Sequence, residues 1–454
     1  MLDKSIFREY DIRGIVKTQL QNDAVVAIVS AYATVFKRKN KQKIILGMDG
    51  RESSERIKNL TAKTLASFGL DVIDIGLVPT PLMYYSVFKF DMDGGIIVTA
   101  SHNPAEYNGF KALIGKQATS GKQVMEIYDI GMSGKYAERG VGTITKKEVI
   151  EDYIEYITED LKIDKKVKIV VDSGNGTGGI TAIPLYKKLN AEVIDIYTKV
   201  DGNFPNHHPD PTKVENLKDL IDKVRETDAD IGIGFDGDAD RIGVVDKRGN
   251  ILWGDMMMII FAREILKEIP NGTFISEVKA SEVMYDEIRK MGGKAIMWKT
   301  GHSLIKKKII ETGAVLAGEV SGHMFFNDRW FGFDDAVYTG ARLIEILSNS
   351  NISLTEMIES MPAVINTPEI RVDTSEQAKF KIVDSMRDYF KKSYDVIDID
   401  GARVKFPNGW ALVRASNTQP SLVIRFEADT TEHLEEIKNI FYPVLEKIKA
   451  DIES

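Results

Sequence analysis

The sequence predicts an α/β fold in which three similar mixed α/β domains and a smaller C-terminal α+β domain surround a central cleft. The first reason is length, because 454 residues exceed the roughly 250–300 residues at which a single hydrophobic core stops growing. The second reason is a weak internal repeat, since the order strand, turn, helix, strand recurs three times. The third is that this order ends near residue 366, where a different arrangement begins.

Each copy of the repeat starts with a short apolar strand and continues through a polar or glycine-containing turn into a helix and a second strand. The first copy comprises strand 43–46, turn 49–51, a helix to Phe68 and strand 72–75. The second comprises strand 167–171, turn 172–176, a helix to about Leu189 and strand 193–196. The third comprises strand 273–275, turn 277–279, a helix to Met291 and strand 294–297. Strands that alternate with such helices indicate βαβ units and mixed or mainly parallel sheets.

After each copy, another helix and one more apolar strand lead into a polar loop. The three loops are 99–104, 236–241 and 318–323. Open α/β sheets bind ligands at the carboxyl ends of their strands. We therefore expect equivalent loops from three domains to line one active-site cleft.

The C-terminal segment has a different order of elements. From Thr367 the pattern predicts a strand, a helix over 376–390, three strands with a turn at 407–409, and a closing helix from Glu432. This order is typical of a small α+β domain. The predicted domains are therefore 1–145, 146–250, 251–365 and 366–454.

Composition restricts the location and the partners of the protein. With 60 Lys and Arg against 68 Asp and Glu, the net charge is −8, which argues against nucleic acid as a partner. The absence of cysteine excludes disulfides and thiolate metal sites. The first 20 residues lack the apolar core of a signal peptide, and the apolar run 253–262 is too short to span a bilayer. We expect a cytoplasmic protein, monomeric or dimeric, that acts on small molecules rather than on a membrane.

Ser101 is the candidate nucleophile of the first polar loop, whose sequence TASHNP directly follows the apolar strand 95–98. A serine hydroxyl is a poor nucleophile until a base or a metal lowers the cost of its alkoxide. His102 lies beside it, and Lys111 supplies a cation downstream. The alternative is an ordinary turn, since asparagine and proline are turn residues.

Three aspartates, Asp236, Asp238 and Asp240, alternate in the second polar loop. Carboxylates this close repel one another unless a cation neutralises them, so a hard divalent metal is expected, and Mg²⁺ fits best. Arg241 follows directly and offers a planar pair of donors to a phosphate beside the ion. A calcium EF-hand fails because Arg241 and Lys247 stand where that motif needs glycine and glutamate. An aspartyl nucleophile of the haloacid-dehalogenase type and solvated turn aspartates remain as alternatives.

A glycine-rich turn over 174–179 has the spacing of a dinucleotide-binding fingerprint, with Asp195 further along the chain. A tight strand-to-helix turn needs glycines whatever its ligand, so the pattern favours a purely structural turn. The sequence contains no Walker-type phosphate loop, which argues against a P-loop kinase.

Glu319 and Ser321 lie two residues apart in the third polar loop, a spacing that presents both side chains to one ligand. A carboxylate acceptor suits the paired hydroxyls of a sugar. His323 suits proton transfer because the ordinary pKa of a histidine lies near neutrality. A structural histidine is the alternative for His323.

Other donors predict phosphate contacts. The loop 414–420 contains four of them, Arg414, Ser416, Asn417 and Thr418. A guanidinium with hydroxyl and amide donors favours a phosphate cradle, although a polar hairpin turn has the same composition. Further aromatic and cationic candidates are Tyr10, Arg13, Lys279, Lys299, His302 and Lys306.

Six motifs, taken together and in order, resemble the α-D-phosphohexomutase family. They are YDIRG at 10–14, TASHNP at 99–104, DGDADR at 236–241, KTGHSLIK at 299–306, GEVSGH at 318–323 and RASNTQP at 414–420. The resemblance extends over essentially the whole chain and is closest to the phosphomannomutase/phosphoglucomutase branch. It implies an isomerase that interconverts mannose 6-phosphate and mannose 1-phosphate, and the corresponding glucose phosphates, by intramolecular phosphoryl transfer.

The resemblance also implies roles for the candidate residues. Ser101, beside His102, would carry the phosphoryl group and share Mg²⁺ with the three aspartates. Transfer to a hexose monophosphate would give a hexose 1,6-bisphosphate, the intermediate and activator, which turns round in the cleft. Proton transfer would fall to Lys111, Arg13 or His323. The sugar phosphate would contact Tyr10, Arg241, Lys279, His302, Glu319, Ser321 and His323, and its distal phosphate would contact Arg414, Ser416, Asn417 and Thr418.

Other activities would use many of the same residues. A mutase for the phosphate of an amino sugar, glucosamine or N-acetylglucosamine, is one alternative. A magnesium-dependent sugar phosphatase would share every residue but release inorganic phosphate. A non-catalytic sugar-phosphate sensor is the third, and the intact Ser101 and aspartates count against it. The second phosphate cradle favours the mutase over the phosphatase.

Overall fold

A computed structural model describes residues 2–416 and 419–453. In this part of the chain the strands form four sheets, and the predicted fold class is confirmed, because three mixed α/β domains precede an α+β domain. Two short 3-10 helices, Lys4–Ile6 and Val214–Leu217, accompany the regular elements. Not one helix in the described part of the chain combines the length and apolar character that crossing a membrane requires.

The first sheet has seven strands, which four helices connect. Its elements are β1 (Ile12–Ile15), α1 (Asn22–Arg38), β2 (Lys43–Met48), α2 (Ser54–Ala66), β3 (Asp71–Leu77), α3 (Thr80–Lys89), β4 (Gly94–Val98), β5 (Tyr107–Ile114), β6 (Gln117–Ala118), α4 (Lys122–Ser133) and β7 (Ile144–Lys146). The strand order is β1-β5-β4-β2-β3-β7, with β6 beside β5. β2 is parallel to β3 and β4, whereas β5 is antiparallel to β4.

The second and third domains repeat this arrangement with fewer strands. The second contains α5 (Ile150–Asp160), β8 (Lys168–Asp172), α6 (Gly178–Lys188), β9 (Glu192–Ile196), α7 (Lys218–Thr227), β10 (Ile231–Phe235), β11 (Ile242–Asp246) and β12 (Ile251–Leu252). The third contains α8 (Gly254–Glu268), β13 (Thr273–Glu277), α9 (Glu282–Lys290), β14 (Lys294–Trp298), α10 (His302–Thr312), β15 (Leu316–Gly318), β16 (Met324–Phe326), α11 (Ala336–Asn349) and α12 (Leu354–Glu359). The strand orders are β12-β11-β10-β8-β9 and β14-β13-β15-β16.

The fourth domain is built on an antiparallel sheet. Its elements are β17 (Ile365–Asn366), β18 (Ile370–Asp373), α13 (Ala378–Phe390), β19 (Val396–Ile397), β20 (Ala402–Phe406), β21 (Gly409–Ala415), β22 (Ser421–Ala428) and α14 (Thr431–Glu453). A buried cluster joins α13 and α14 to one face of β20–β22. The other face contacts the third domain, where Trp410 and Leu412 pack with Val278.

One motif is common to the three α/β domains and confirms the repeat. In each domain a central strand, β2, β8 or β13, lies between two parallel neighbours. The last strand of each trio is followed by an antiparallel strand, β5, β11 or β16. The three polar loops connect these last two strands, so each lies at the carboxyl end of a buried strand.

Most of the predicted elements agree with the structure to within two or three residues at each end. The helix predicted from residue 376 begins at Ala378, and the closing helix predicted from Glu432 begins at Thr431. The strand predicted from Thr367 begins at Ile370. Short strands such as β7 and β12 were missed, because two or three residues carry no recognisable periodicity.

An aromatic cluster crosses the boundaries between the first three domains. Tyr85 of α3 stacks on Trp330 with 5.8 Å between ring centroids and meets Tyr153 of α5 edge-on at 5.3 Å. Trp330 stacks in turn on Tyr338 of α11 at 4.3 Å. Such pairs contribute about 0.5–1.5 kcal/mol each beyond the burial of their area. The three α/β domains therefore share a continuous core.

Because of Asp335 at this interface, we expect the free energy of unfolding to depend on pH. It is buried at the N-cap of α11, where it accepts hydrogen bonds from Tyr338 N and from the Tyr153 hydroxyl, and burial raises its pKa to about 7. A carboxyl with a raised folded-state pKa keeps a proton that the unfolded chain has lost, so its contribution to stability falls as pH rises from about 4 to about 7. We expect Asp335→Asn, which keeps the cap, to gain stability over the wild type across this range, by up to about 1.4 kcal/mol per pH unit.

Urea unfolding of both proteins at several pH values between 4 and 8 measures this difference directly. A stability difference that does not change with pH would contradict the assignment of the titrating group to Asp335.

Candidate active site

Ser101 lies in the loop after β4 and is 1 % exposed. Its backbone φ is +51°, a left-handed conformation that residues other than glycine rarely adopt, and its amide donates to Thr99 Oγ1 at 2.9 Å. The Ser101 hydroxyl donates to Asp236 Oδ2, in the second domain, at 2.7 Å. The predicted nucleophile and the predicted metal site are thus in direct contact.

His102 lies against the same hydroxyl, with its Nδ1 3.1 Å from Ser101 Oγ. Burial, and then the charges of Arg241 and Arg13, lower the pKa of His102 well below its ordinary value. The imidazole is therefore neutral at physiological pH. The neutral ring carries one N–H, so its Nδ1 donates to Ser101 Oγ or accepts from it according to the tautomer.

Asp236, Asp238 and Asp240 form a buried cluster in which each offers an oxygen within 4.8 Å of the others. Ala239, with φ at +55°, reverses the backbone between the second and third carboxylates. The amides of Asp240 and Arg241 both donate to Asp236 Oδ1 at 3.1 Å, so Asp236 also closes its own loop. Burial, with the charges of Asp240 and Asp238, raises the pKa of Asp236 well above its ordinary value.

These carboxylates fit a hard divalent cation. The Oδ1 atoms of Asp238 and Asp240 are buried and have no hydrogen-bond partner among the described residues. Their Oδ2 atoms accept from Lys111 Nζ at 2.6 and 2.5 Å. Although burial acts against it, the two carboxylates raise the pKa of Lys111 and keep it charged. The single ammonium of Lys111 does not balance the negative charge of three carboxylates. Carboxylate oxygens are also the ligands that hard cations prefer.

Two arginines connect this centre to its surroundings. Arg13 of β1 donates from Nη1 to Asn103 Oδ1 at 2.7 Å and from Nε to Asp11 Oδ2 at 2.8 Å, so it contacts the serine loop. Arg241 Nη1 lies 4.0 Å from Asp210 Oδ1. Although burial acts against it, Asp11 raises the pKa of Arg13 and Asp210 raises that of Arg241, and the neighbouring acidic cluster adds to both effects.

His323 joins the second domain to the third. Its Nε2 accepts a hydrogen bond from Arg241 Nε at 3.0 Å, and its Nδ1 lies 3.1 Å from Asp334 Oδ2. An arginine Nε always carries a hydrogen, so Nε2 is the acceptor and Nδ1 carries the proton. Asp334 also accepts from Lys306 Nζ at 2.7 Å and lies 3.7 Å from His302 Nδ1.

The third polar loop holds the predicted sugar contacts together. Glu319 Oε1 accepts from Gly301 N at 2.8 Å, and Oε2 accepts from Ser321 Oγ at 3.1 Å. Tyr10 reaches this region from the first domain, where its ring meets His302 edge-on at 5.5 Å. Glu319 and Ser321 are therefore hydrogen-bonded to each other, and their contact with one ligand stays a prediction.

Lys279 lies where the third and fourth domains meet. Its Nζ is 3.5 Å from Glu277 Oε2 and donates to Glu369 Oε2 at 3.3 Å. Although burial acts against it, Lys279 lowers the pKa of Glu369 to about 2. Lys279 is thus a partly buried cation held between two carboxylates, one from each domain.

Arg414 of β21 belongs to the fourth domain, lies in the site and is 5 % exposed. Its Nε donates to Asp400 Oδ2 at 3.1 Å, whereas Nη2 is buried and has no hydrogen-bond partner among the described residues. Ser416 lies two residues further along, directly after β21. The other two predicted phosphate contacts, Asn417 and Thr418, lie outside the described residues.

A continuous run of contacts joins these groups across all four domains. The contacts that cross domain boundaries include Ser101–Asp236, Lys111–Asp238, Arg241–His323, Tyr10–Thr300, Thr300–Asp400 and Lys279–Glu369. Candidates predicted from separate motifs therefore belong to one site, which no single domain could form.

The sequence did not reveal several residues that hold this site. Thr80, at the start of α3, donates to Asp238 Oδ2 at 2.6 Å, yet a threonine before proline at a helix start gives no other signal. Asp334 was missed because only the folded chain brings it to His323. The glycine-rich turn packs against the aspartate loop, since Thr177 N donates to Gly237 O at 3.0 Å. That packing agrees with the structural interpretation of the turn.

Comparison with known proteins agrees with this arrangement. Four family profiles match the chain, described as phosphoglucomutase/phosphomannomutase, alpha/beta/alpha domain I over residues 4–136, domain II over 151–249, domain III over 253–364, and C-terminal domain over 369–443. A phosphomannomutase/phosphoglucomutase of Pseudomonas putida is 43% identical over 453 residues, which cover 100% of this chain and 98% of that protein. A phosphoglucomutase of Neisseria gonorrhoeae is 43% identical over 98% of this chain and 97% of that protein.

A solved structure gives the same result. The crystal structure of a phosphoglucomutase/phosphomannomutase family protein from Burkholderia thailandensis matches with a TM-score of 0.94 and 40% identity, over 99% of this chain and 98% of that chain. The matches extend through all four domains rather than through one of them. The chain therefore belongs to the phosphoglucomutase/phosphomannomutase family, a family of phosphohexomutase enzymes.

Proposed function

We propose that the protein interconverts mannose 6-phosphate and mannose 1-phosphate, and the corresponding glucose phosphates, through a phosphorylated Ser101 and a hexose 1,6-bisphosphate. The observation that carries this proposal is the contact of Ser101 Oγ with Asp236 inside the buried acidic cluster. Phosphoryl transfer depends on positioning and charge neutralisation, and a nucleophile beside a cation site provides both. The names of the relatives, which include both mannose and glucose mutases, support the choice of sugars.

Asp236, Asp238 and Asp240 would hold Mg²⁺ together with Ser101. When bound, Mg²⁺ neutralises negative charge on the serine oxygen and the phosphoryl group. The protein adds fixed cations of its own, because Lys111 is bound to two of the carboxylates. His102 contributes a neutral hydrogen-bond partner to the serine oxygen.

His323 is the best placed of the three candidates for proton transfer. The pKa values of Lys111 and Arg13 are raised by the neighbouring carboxylates, against the effect of burial, so both keep their protons. His323 Nε2 has a lone pair that Arg241 now occupies, and a substrate hydroxyl could take the place of that donor. Asp334, beside Nδ1, would stabilise the imidazolium that results.

The remaining candidates would bind the hexose phosphate. Glu319 and Ser321 would contact two neighbouring ring hydroxyls, and contacts confined to O3 and O4 would not distinguish epimers at C2. Arg414 would bind the phosphate remote from Ser101, because its Nη2 is buried and lacks a partner among the described residues. The other proposed contacts are Tyr10, Arg241, Lys279, His302, Ser416, Asn417 and Thr418.

Replacement of His323 with asparagine tests the assignment of the base. We expect kcat to fall by roughly 10²–10⁴-fold, the usual contribution of general acid–base catalysis, with a smaller change in KM. His433→Asn is a matched control, because His433 lies on α14 and pairs with Asp429, away from the site. Steady-state mutase assays provide the measurement. A His323→Asn variant with nearly normal kcat would mean that another group moves the proton.

³¹P NMR tests the function as a whole. The purified protein is mixed with mannose 6-phosphate, Mg²⁺ and a trace of hexose 1,6-bisphosphate, and then with the glucose and N-acetylglucosamine phosphates. We expect an anomeric phosphate signal to grow without inorganic phosphate for mannose and glucose. Inorganic phosphate alone would favour a phosphatase, and preferential conversion of the amino sugar would overturn the choice of substrate.

We further propose domain limits at 1–145, 146–250, 251–365 and 366–454, a cytoplasmic location, and a monomeric or dimeric state. The strands β7, β12 and β17 extend one or two residues across these limits. Each family match lies within one of these ranges, which supports the limits. The net charge of −8 and the absence of cysteine suit a reducing, aqueous compartment. Limited proteolysis and light scattering on a sizing column test the limits and the state of association.

A further inference from the structure

Arg51 is a buried arginine that lies in the turn between β2 and α2, with its side chain 1 % exposed. Its guanidinium has five N–H groups, and each has an acceptor in the structure. The acceptors are Asp49 Oδ2 at 3.1 Å from Nε, Ser101 O at 2.8 Å and Asn103 O at 2.6 Å from Nη2, and Pro104 O at 2.6 Å and Tyr107 O at 3.1 Å from Nη1. All five donors are used, so none remains for a substrate.

Four of these acceptors are main-chain carbonyls, three in the loop that carries Ser101 and one at Tyr107, the first residue of β5. The loop joins β4 to β5 through turns and a bend, so a regular ladder does not satisfy its carbonyls, of which that of Ser101 is buried. The left-handed conformation of Ser101 costs about 1–2 kcal/mol relative to ordinary backbone and persists only if the surroundings hold it. Arg51 supplies this support along the whole loop, from Ser101 to Tyr107.

The carbonyl and the side chain of Ser101 are held by different domains. Arg51 of the first domain binds the carbonyl oxygen, whereas Asp236 of the second accepts from the hydroxyl. The second domain also covers the arginine, since the ring of Phe204 lies 5.1 Å from the guanidinium carbon. On the aspartate loop, a Cβ added to Gly237 would lie only 2.3 Å from Ser101 O. The Ser101 carbonyl is thus confined between Arg51 and the backbone of Gly237.

We propose that Arg51 is a positioning residue for phosphoryl transfer, which fixes the Ser101 carbonyl and so keeps the hydroxyl, or the phosphate on it, directed at the substrate. This inference rests on the proposed function, in which Ser101 carries the phosphoryl group. Arg51 acts through the loop and not on the reacting atoms, because its donors are all used there. A misplacement of about 1 Å in an active site can cost roughly 10²-fold in rate.

Arg51→Lys tests the proposal, because lysine keeps the positive charge but one ammonium cannot replace a fork that reaches four carbonyls. We expect kcat to fall by roughly 10²-fold while KM for the hexose phosphate changes little, the pattern of an interaction needed for the chemical step. In Arg51→Gly, added guanidinium at a concentration far below the denaturing range should restore part of kcat, whereas equal sodium chloride should not.

Arg342→Lys is the matched control. Arg342 of α11 is also buried and binds Asp328 through both terminal nitrogens, but it belongs to none of the site contacts. We expect it to lose thermal stability as Arg51→Lys does and to keep its kcat. Equal losses of kcat in the two variants would overturn the proposal, as would a rise in KM with kcat unchanged in Arg51→Lys.

The wild type, assayed beside the variants, separates this inference from the proposed function. If the wild type converts no hexose phosphate, the proposed function fails, and amide hydrogen exchange over residues 101–107 then tests the positioning role alone. Faster exchange in Arg51→Lys than in Arg342→Lys would support the contact-based part of the inference. Equal exchange in the two variants would overturn it.

Discussion

Replacement of Ser101 with alanine is expected to abolish turnover, by roughly 10⁴-fold or more as for other nucleophiles, while the fold and the binding of hexose phosphates persist. The variant loses only the hydroxyl of Ser101. The backbone amide of residue 101 can still donate its hydrogen bond to Thr99 Oγ1. The assay is ³¹P NMR of the conversion, with calorimetric titration of glucose 1-phosphate as the measure of binding.

Ser133→Ala is the control for this variant. Ser133 lies in the same domain at the end of α4, where its hydroxyl donates to Ile130 O, so full activity is expected. Mass spectrometry should find phosphate on residue 101 of the wild type. In Ser101→Ala it should find phosphate neither at residue 101 nor at Ser133. Turnover that survives in Ser101→Ala would remove the phosphoserine from the mechanism.

Replacement of Asp236 with asparagine is expected to have opposite effects on activity and stability. The amide oxygen of asparagine can still accept from the amides of Asp240 and Arg241, so the loop should keep its shape. Loss of one carboxylate should weaken Mg²⁺ binding and lower kcat by at least about 100-fold. Because burial and the charges of Asp240 and Asp238 raise the pKa of Asp236, the neutral variant should be more stable than the wild type in the absence of metal.

Two measurements check this pair of effects. Activity is titrated with Mg²⁺ after treatment with a chelator, and thermal unfolding is followed in the chelator alone. Asp230→Asn is the control, since Asp230 lies just before β10 and accepts from Lys168 N, outside the acidic cluster. An Asp236→Asn variant that keeps wild-type activity at low Mg²⁺ would contradict the metal site.

The fold could be predicted because its main signals are local. β4, β10 and β8 are buried along almost their whole length, so they appear in the sequence as apolar runs, and the turns after them need glycine or small polar residues. The βαβ rule then places their carboxyl ends at one edge of each sheet. For that reason the contact between Ser101 and the aspartates could be expected before the structure was known.

The residues that support the site could not be predicted in the same way. Arg51 lies 50 positions before Ser101, and Asp334 meets His323 because the chain turns back beside β16, where Asp334 forms an antiparallel bridge with Phe325. An arginine in a turn, or an aspartate before a helix, looks like an ordinary surface residue in the sequence. Their roles arise from contacts between distant segments, and no local pattern records such contacts.

The sequence by itself determined the class of fold, the order of the domains, the candidate nucleophile, the acidic cluster and the family resemblance, because each is carried by short motifs and by their order along the chain. Only the tertiary structure decided how the four domains share one site and which side chains hold Ser101, His323 and Lys279 in place. Those arrangements depend on burial, since a charge such as Arg51 or Asp334 acquires its partners when folding removes it from water. Burial is a property of the whole chain, and for that reason it appears only once the chain has folded.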